Sequence, residues 1–156
     1  MKKFFRLVLF ISVSQAAGLI GAIATTPAIP GWYADLNKPF FTPPGWLFGP
    51  VWILIYFLMG ISAYLIYERG FKKDEVKNAL YLFGTQLGLN TLWSFIFFGY
   101  KLPFLAFAEI VILWLFIKLT IKAFLKINRL AGYLMIPYLF WVTYASVLNL
   151  AIAVMN

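Results

Sequence analysis

Apolar positions run along this chain in five long blocks, separated by short stretches where Lys, Arg, Pro and Gly collect. The blocks are 4–26, 48–67, 80–98, 103–124 and 130–155. A spanning helix needs roughly 20 mostly apolar residues to cross about 30 Å of hydrocarbon, and each block approaches or exceeds that length. The pattern predicts an all-α membrane protein: a five-transmembrane-helix bundle forming one domain over residues 1–156, with no tail or linker long enough for a second. The opening "MKKFFRLVLFISVSQAAGLIGA" has the basic start of a secretory signal. A signal's apolar core runs only about 7–15 residues. Here the run continues to Thr25, interrupted only by the uncharged Ser12, Ser14 and Gln15, so an uncleaved first helix is expected.

Composition sharpens this. The chain is 63% hydrophobic, 21% aromatic and 12% charged, whereas a soluble domain is nearer half apolar and about a quarter charged. The net charge of +8 invites a nucleic-acid reading, but the positions oppose it. Lys and Arg gather at segment ends as anchors, and no basic face with interleaved polar residues exists. Lys2, Lys3, Arg6, Arg69, Lys72, Lys73, Lys77, Lys118, Lys122, Lys126 and Arg129 fall on one side of a five-span topology, and Lys38 and Lys101 on the other. The positive-inside rule then puts the N-terminus in the cytoplasm and the C-terminus outside. Neither cysteine nor histidine occurs. No disulfide can form, the commonest metal ligands and general bases are missing, and haem ligation by His or thiolate is excluded. No metal site and no obligatory cofactor is expected.

Between the first two blocks lies "KPFFTPPGWLFGPVW". The external loop, taken as 27–47, holds Pro27, Pro30, Pro39, Pro43 and Pro44. Each fixes φ, removes a donor and pushes its predecessor towards extended backbone, so regular helix is not expected here, yet the loop should be stiff. Trp32, Tyr33, Phe40, Phe41 and Trp46 accompany the prolines. They read either as an interfacial aromatic belt or as a rigid lid over the outer end of the bundle. The density of Pro with Trp favours the lid.

Polar residues within the blocks mark the interior. Gln86, Asn90 and Ser94 recur every four residues and share one helix face. Buried amides need partners where lipid offers none, so that face should look inward. Gly84 and Gly88 form a G-x-x-x-G about 200° round the same helix and face away. Close packing at small residues drives helix association in lipid, so this is the candidate face of a homodimer. Glu109 is the one acidic residue inside a span. Such carboxylates are rare and raise functional hypotheses, although it could also hydrogen-bond a neighbouring helix. Pro137 should bend the fifth helix. Trp52, Trp93, Asn90 and Trp141 all fall in the outer half, beneath the loop. Apolar walls with a few convergent polar groups describe a small-molecule pocket.

At this point the sequence resembles the translocator protein / tryptophan-rich sensory protein (TspO) family. "GWYADLNKPFFTPPGWLFGPVW" matches that family's first-loop signature, "GTQLGLNTLWSFIFFG" is similar to its third helix and "PYLFWVTYASVLN" to its fifth. The resemblance implies a five-helix bundle, often homodimeric, in a prokaryotic cytoplasmic membrane. It implies that porphyrins (protoporphyrin IX or haem) and benzodiazepine-type molecules are bound, under a covering first loop. By motif match the pocket would use Tyr33 and Pro43 from the loop, Trp52 and Tyr56 from helix two, Gln86, Asn90, Trp93 and Ser94 from helix three, and Trp141 and Ala145 from helix five. Some bacterial members are reported to degrade protoporphyrin in light, which makes Trp52 and Trp141 the candidate catalytic residues. Phe41 stands where the family usually has Trp. No Lys or Arg follows Arg129, so the sterol pattern at the end of helix five is absent; a reversed Arg129…Tyr133…Leu139 pattern is only a weak motif.

Three functions compete: a sensor or carrier that binds tetrapyrroles, an enzyme degrading porphyrin photo-oxidatively, and an ion-coupled transporter. Coupling usually requires intramembrane charge, which only Glu109 supplies, and no inverted repeat is apparent. Hydrolytic or metal catalysis lacks its residues.

Overall fold

The computed structural model describes all residues, Met1–Asn156, as helices joined by short turns, without strands. Six helices form: α1 (Lys2–Ala28), α2 (Gly45–Tyr67), α3 (Asp74–Ser94), α4 (Pro103–Ile127), α5 (Arg129–Leu134) and α6 (Ile136–Met155). Helices α5 and α6 divide the fifth apolar block. Pro137 lacks an N–H for the carbonyl one turn back, and the chain breaks at Met135. Asn128 caps the start of α5, its Oδ1 accepting from Leu130 N at 3.0 Å and Ala131 N at 3.4 Å. Four helical segments are long and apolar enough to cross a membrane: Lys2–Tyr33, Gly45–Tyr67, Pro103–Ile127 and Arg129–Met155. Helix α3 falls short of them in apolarity; it starts at Asp74 rather than near residue 80. Asp74 and Glu75 in its first turn suit the positive end of the helix dipole.

The prolines of the first loop act differently from the sequence expectation. Pro27 lies inside α1, and Pro30 lies in a wider π turn, Ile29–Tyr33, that prolongs it. The backbone stays helical to Asp35, so only residues 36–44 are irregular, not 27–47. A proline ring crowds the carbonyl four residues back. Widening the turn relieves that crowding without exposing a row of unpaired backbone groups, which lipid punishes. A second π turn, Phe95–Gly99, prolongs α3.

The short irregular strap is fastened to the far end of the chain. Asn37 N donates to Asn156 Oδ1 at 2.9 Å, and Asn156 Nδ2 donates to Asn37 O at 2.9 Å. The Tyr144 hydroxyl donates to Phe41 O. Lys38 Nζ donates to the carbonyls of Tyr33, Ala34 and Leu36 at 2.8, 3.0 and 2.9 Å, closing the helix end that Tyr33 terminates.

Packing runs in a closed ring: α1 on α2, α2 on α5, α5 and α6 on α4, α4 on α3, and α3 back on α1. The main buried cluster joins α2, α3, α4 and α5–α6 through residues such as Met59, Phe83, Leu113, Phe124 and Met135. A smaller cluster around Tyr33, Phe97 and Leu148 sits at the strap end. Helix α2 packs closely on α5 but only weakly on α6, so these two segments diverge towards the strap. Helices α1 and α2 instead meet almost backbone to backbone. A Cβ added to Gly60 would lie 2.5 Å from Ile11 Cα and 2.8 Å from Ile11 N, while one added to Gly84 would meet nothing within 4 Å. Overpacking costs about 1–3 kcal/mol. Gly60→Ala should therefore lower the Tm in detergent by roughly 2–4 °C per kcal/mol lost, and Gly84→Ala should leave it unchanged. Equal Tm values for the two variants would contradict this crossing.

Candidate functional site

Where α2 and α6 diverge, aromatic side chains fill part of the gap and leave a cavity of about 470 Å³. Ligand pockets typically run to about 300–1,000 Å³ with mainly apolar walls. Trp52 stacks on Tyr56 with ring centroids 5.4 Å apart and meets Trp141 edge-on at 6.5 Å and 89°. Phe48 meets Trp141 at 6.2 Å, and Trp93 stacks on Phe97 at 5.1 Å. Offset and edge-to-face arrangements suit the ring quadrupoles, so these walls hold their shape through mutual contact. The α1 wall is built differently, from small residues. A Cβ on Gly18 would collide with the Tyr56 ring, so that ring lies close against the α1 backbone.

The cavity brings together Tyr33, Trp52, Tyr56, Trp93, Ser94, Trp141 and Ala145 of the residues named from sequence. Pro43, Gln86 and Asn90 do not line it. Pro43 belongs to the strap. Gln86 is wholly buried, its Nε2 lying 3.6 Å from Met59 Sδ and its Oε1 unpaired. Asn90 ties three helices: its Oδ1 accepts from the Tyr56 hydroxyl, and its Nδ2 donates to the Tyr138 hydroxyl at 2.8 Å. Gly84 and Gly88 lie on the open outer face of α3. Glu109 on α4 is 7% exposed, and neither carboxyl oxygen has a hydrogen-bond partner.

Several wall residues escaped the sequence reading. Helix α1 contributes Gln15, Gly18, Gly21, Thr25 and Thr26, and the π turn after α3 contributes Phe97 and Phe98. The spacing of Gly18, Gly21 and Ala22 on one face of α1 was the available signal. Asn149 also lines the chamber. It accepts from Trp93 Nε1 at 3.0 Å and donates to Pro103 O at 2.8 Å, which fixes the plane of the Trp93 indole. Chemically the walls offer π faces, hydroxyls and amides. No three His, Cys, Asp or Glu side chains converge anywhere.

Fold and cavity together define a class: a helical membrane protein enclosing an aromatic-walled chamber between its helices. The model of the TspO/MBR family matches residues 10–155, and the chain belongs to that family. It is 44% identical over 151 residues to the tryptophan-rich protein TspO of Archaeoglobus fulgidus, covering 97% of each chain. It is 40% identical over 132 residues to the tryptophan-rich sensory protein of Cereibacter sphaeroides, covering 83% of this chain and 81% of the relative. It is 37% identical over 120 residues to the human translocator protein, covering 76% of this chain and 70% of the relative.

The Asn90 bridge has a measurable consequence. Removing its amide leaves two buried hydroxyls unpaired, at about 1–3 kcal/mol each. Asn90→Ala should lower the Tm in detergent clearly, and Ser94→Ala, which touches no such bridge, should not. An unshifted Tm for Asn90→Ala would show that the three-helix bridge contributes nothing.

Proposed function

We propose that this protein is a five-span membrane receptor for a flat tetrapyrrole, protoporphyrin IX or haem, acting as a sensor or carrier in tetrapyrrole or stress regulation. The observation that carries the reading is the chamber itself, with Trp52, Trp93 and Trp141 on its walls. Benzodiazepine-type molecules, also aromatic and largely apolar, suit the same walls. Helix α3 packs on both α1 and α4, which supports its crossing the membrane alongside them as a fifth span. The basic residues at the ends of α2 and α4 and at the start of α1 support a cytoplasmic N-terminus. The likeness to the TspO proteins of Archaeoglobus fulgidus and Cereibacter sphaeroides supports a prokaryotic cytoplasmic membrane.

Stacking, rather than ligation by His or Cys, would hold the macrocycle, because the chain has neither residue. Metal-free protoporphyrin should then bind about as tightly as haem. Loss of one ring with its buried area costs about 2 kcal/mol, or roughly 30-fold in affinity. Fluorescence titration of Trp52→Ala/Trp141→Ala should show at least that loss. Unchanged affinity in the double variant, or haem binding far tighter with a His- or thiolate-like Soret band, would sink the proposal. A second reading, light-driven oxidative degradation of the porphyrin, is favoured by the contact of the Trp52 and Trp141 indoles inside one chamber. It requires the bound porphyrin to bleach under aerobic illumination.

The exposed stripe of Gly84 and Gly88, next to Tyr81 and Leu92, is the proposed face of a homodimer, since small residues allow close helix approach in lipid. Gly84→Leu/Gly88→Leu should yield monomers that still bind ligand. A variant that remains dimeric in detergent and in bilayers rules this face out.

A further inference from the structure

We propose that α4 carries a binding site for the headgroup of an anionic phospholipid, built from Lys118, Lys122 and Lys126 on its bilayer-facing side. The site lies outside the chamber and does not depend on what the chamber binds.

The three lysines recur every four residues, so they form one ladder along the helix. All three are exposed, and at about 100° per residue they stand opposite the buried face of Leu113, Ile117 and Phe124. Their exposed neighbours on that side are apolar: Val111, Leu115 and Leu119. Like charges one turn apart repel, and nothing within the chain offsets them. No Asp or Glu occurs after Glu109. The single ion pair of the protein, Arg6 with Glu68, joins the start of α1 to the residue after α2. The counter-charge of the ladder therefore has to come from outside the chain.

The depth of the ladder identifies the partner. Pro103 opens α4 close to the exposed Lys101, which marks that end as interfacial. Hydrocarbon about 30 Å thick takes about 20 helical residues, which places the second boundary near Lys122. Lys118 then lies one turn inside that boundary and Lys126 one turn beyond it. Lys126, in the last turn, suits the negative end of the helix dipole, and a single lysine at a boundary is an ordinary anchor. Lys118 fits neither account, because it stands more than two turns before Ile127. Its ammonium lies 5.1 Å from the centre of the Trp114 ring, a further turn towards the middle of the membrane. The indole is fixed by its N–H, which donates to Thr143 Oγ1 at 2.8 Å. A cation–π contact offsets only part of the cost of taking an ammonium from water. The flexible four-carbon stem lets Lys118 swing one turn down to the level of Lys122, where the phosphate of a lipid sits above its acyl chains. There the phosphate meets Lys122 and Lys126 from the water side and Lys118 from the hydrocarbon side, with the acyl chains against Leu115 and Val111. A soluble anion does not suit this position, because Lys118 and its apolar neighbours lie within the hydrocarbon.

The test titrates the detergent-solubilised full chain with phosphatidylglycerol, phosphatidylcholine or inorganic phosphate, and native mass spectrometry counts the lipids retained. Phosphatidylglycerol should be held in preference to phosphatidylcholine, and inorganic phosphate should not displace it. Lys118→Gln/Lys122→Gln is compared with Lys72→Gln/Lys73→Gln, which removes the same charge from the turn between α2 and α3. A lysine beside anionic lipid contributes about fivefold in binding. The α4 variant should therefore hold phosphatidylglycerol about 25-fold more weakly, while the turn variant stays within about twofold of the parent. Lys118→Arg/Lys122→Arg keeps the charge and should retain the lipid. All three variants should melt as the parent does in phosphatidylcholine, since exposed positions change stability little. Equal losses in the two glutamine variants would mean that diffuse positive charge attracts the lipid, and would overturn the site. So would the absence of any preference for phosphatidylglycerol, or loss of the lipid in the arginine variant. Displacement by inorganic phosphate overturns the assignment to a lipid.

Discussion

A bilayer supplies no hydrogen-bond partners, and most of this architecture follows from that constraint. Every donor and acceptor brought into the hydrocarbon has to be satisfied by the chain itself. The constraint explains why α1 runs on through Pro27 and Pro30 as a widened helix instead of opening into a loop. It also explains the placement of Asn90. One amide satisfies the hydroxyls of Tyr56 and Tyr138 together, and so joins α2, α3 and α6. The Tyr56 ring held by this bridge packs against the α1 backbone at Gly18. A single polar side chain thereby holds Tyr56, one of the residues that line the chamber.

Above that bridge the bundle opens because α2 and α6 diverge, and the opening is kept by aromatic contacts rather than by polar ones. Trp52, Trp141 and Phe48 meet edge to face. Trp93 is turned into place by Asn149, which is itself anchored to Pro103 O. At the strap end, Asn37 and Asn156 exchange hydrogen bonds, and Tyr144 holds Phe41 O. The strap is thus braced on the middle of α6 and on the residue that follows it, and its prolines limit the conformations it can adopt. Stiffness is distributed so that the chamber has firm walls on the α2, α3 and α6 sides and a thin, small-residue wall on α1.

Glu109 stands apart from this economy. It is a carboxyl on α4, buried, with both oxygens unpaired, and it does not line the chamber. Its isolation contrasts with Asn90, where every polar atom is engaged. The two residues were legible in the sequence for the same reason, as polar positions in apolar blocks, yet folding gives them opposite surroundings.

The sequence by itself determined the helical class, the apolar segments and the family signature, because these depend on local composition and on spacing along the chain. It also showed which face of α3 turns inward, since a fourfold spacing of Gln86, Asn90 and Ser94 is a property of any α-helix. Tertiary structure alone decided what those residues meet there. Ser94 reaches the chamber, Asn90 bridges two tyrosines and Gln86 lies against Met59. Spacing gives the direction of a side chain, but its partner is set by a neighbouring helix whose height and tilt come from packing. Lys38 makes the same point. In the sequence it is one of only two basic residues on the outer side, and the turn of the chain after Tyr33 brings three carbonyls within its reach. The contribution of α1 to the chamber was hidden for a related reason: glycines 18 and 21 carry no side chain to signal a wall, and only the approach of Tyr56 and Ser94 from other helices makes them one.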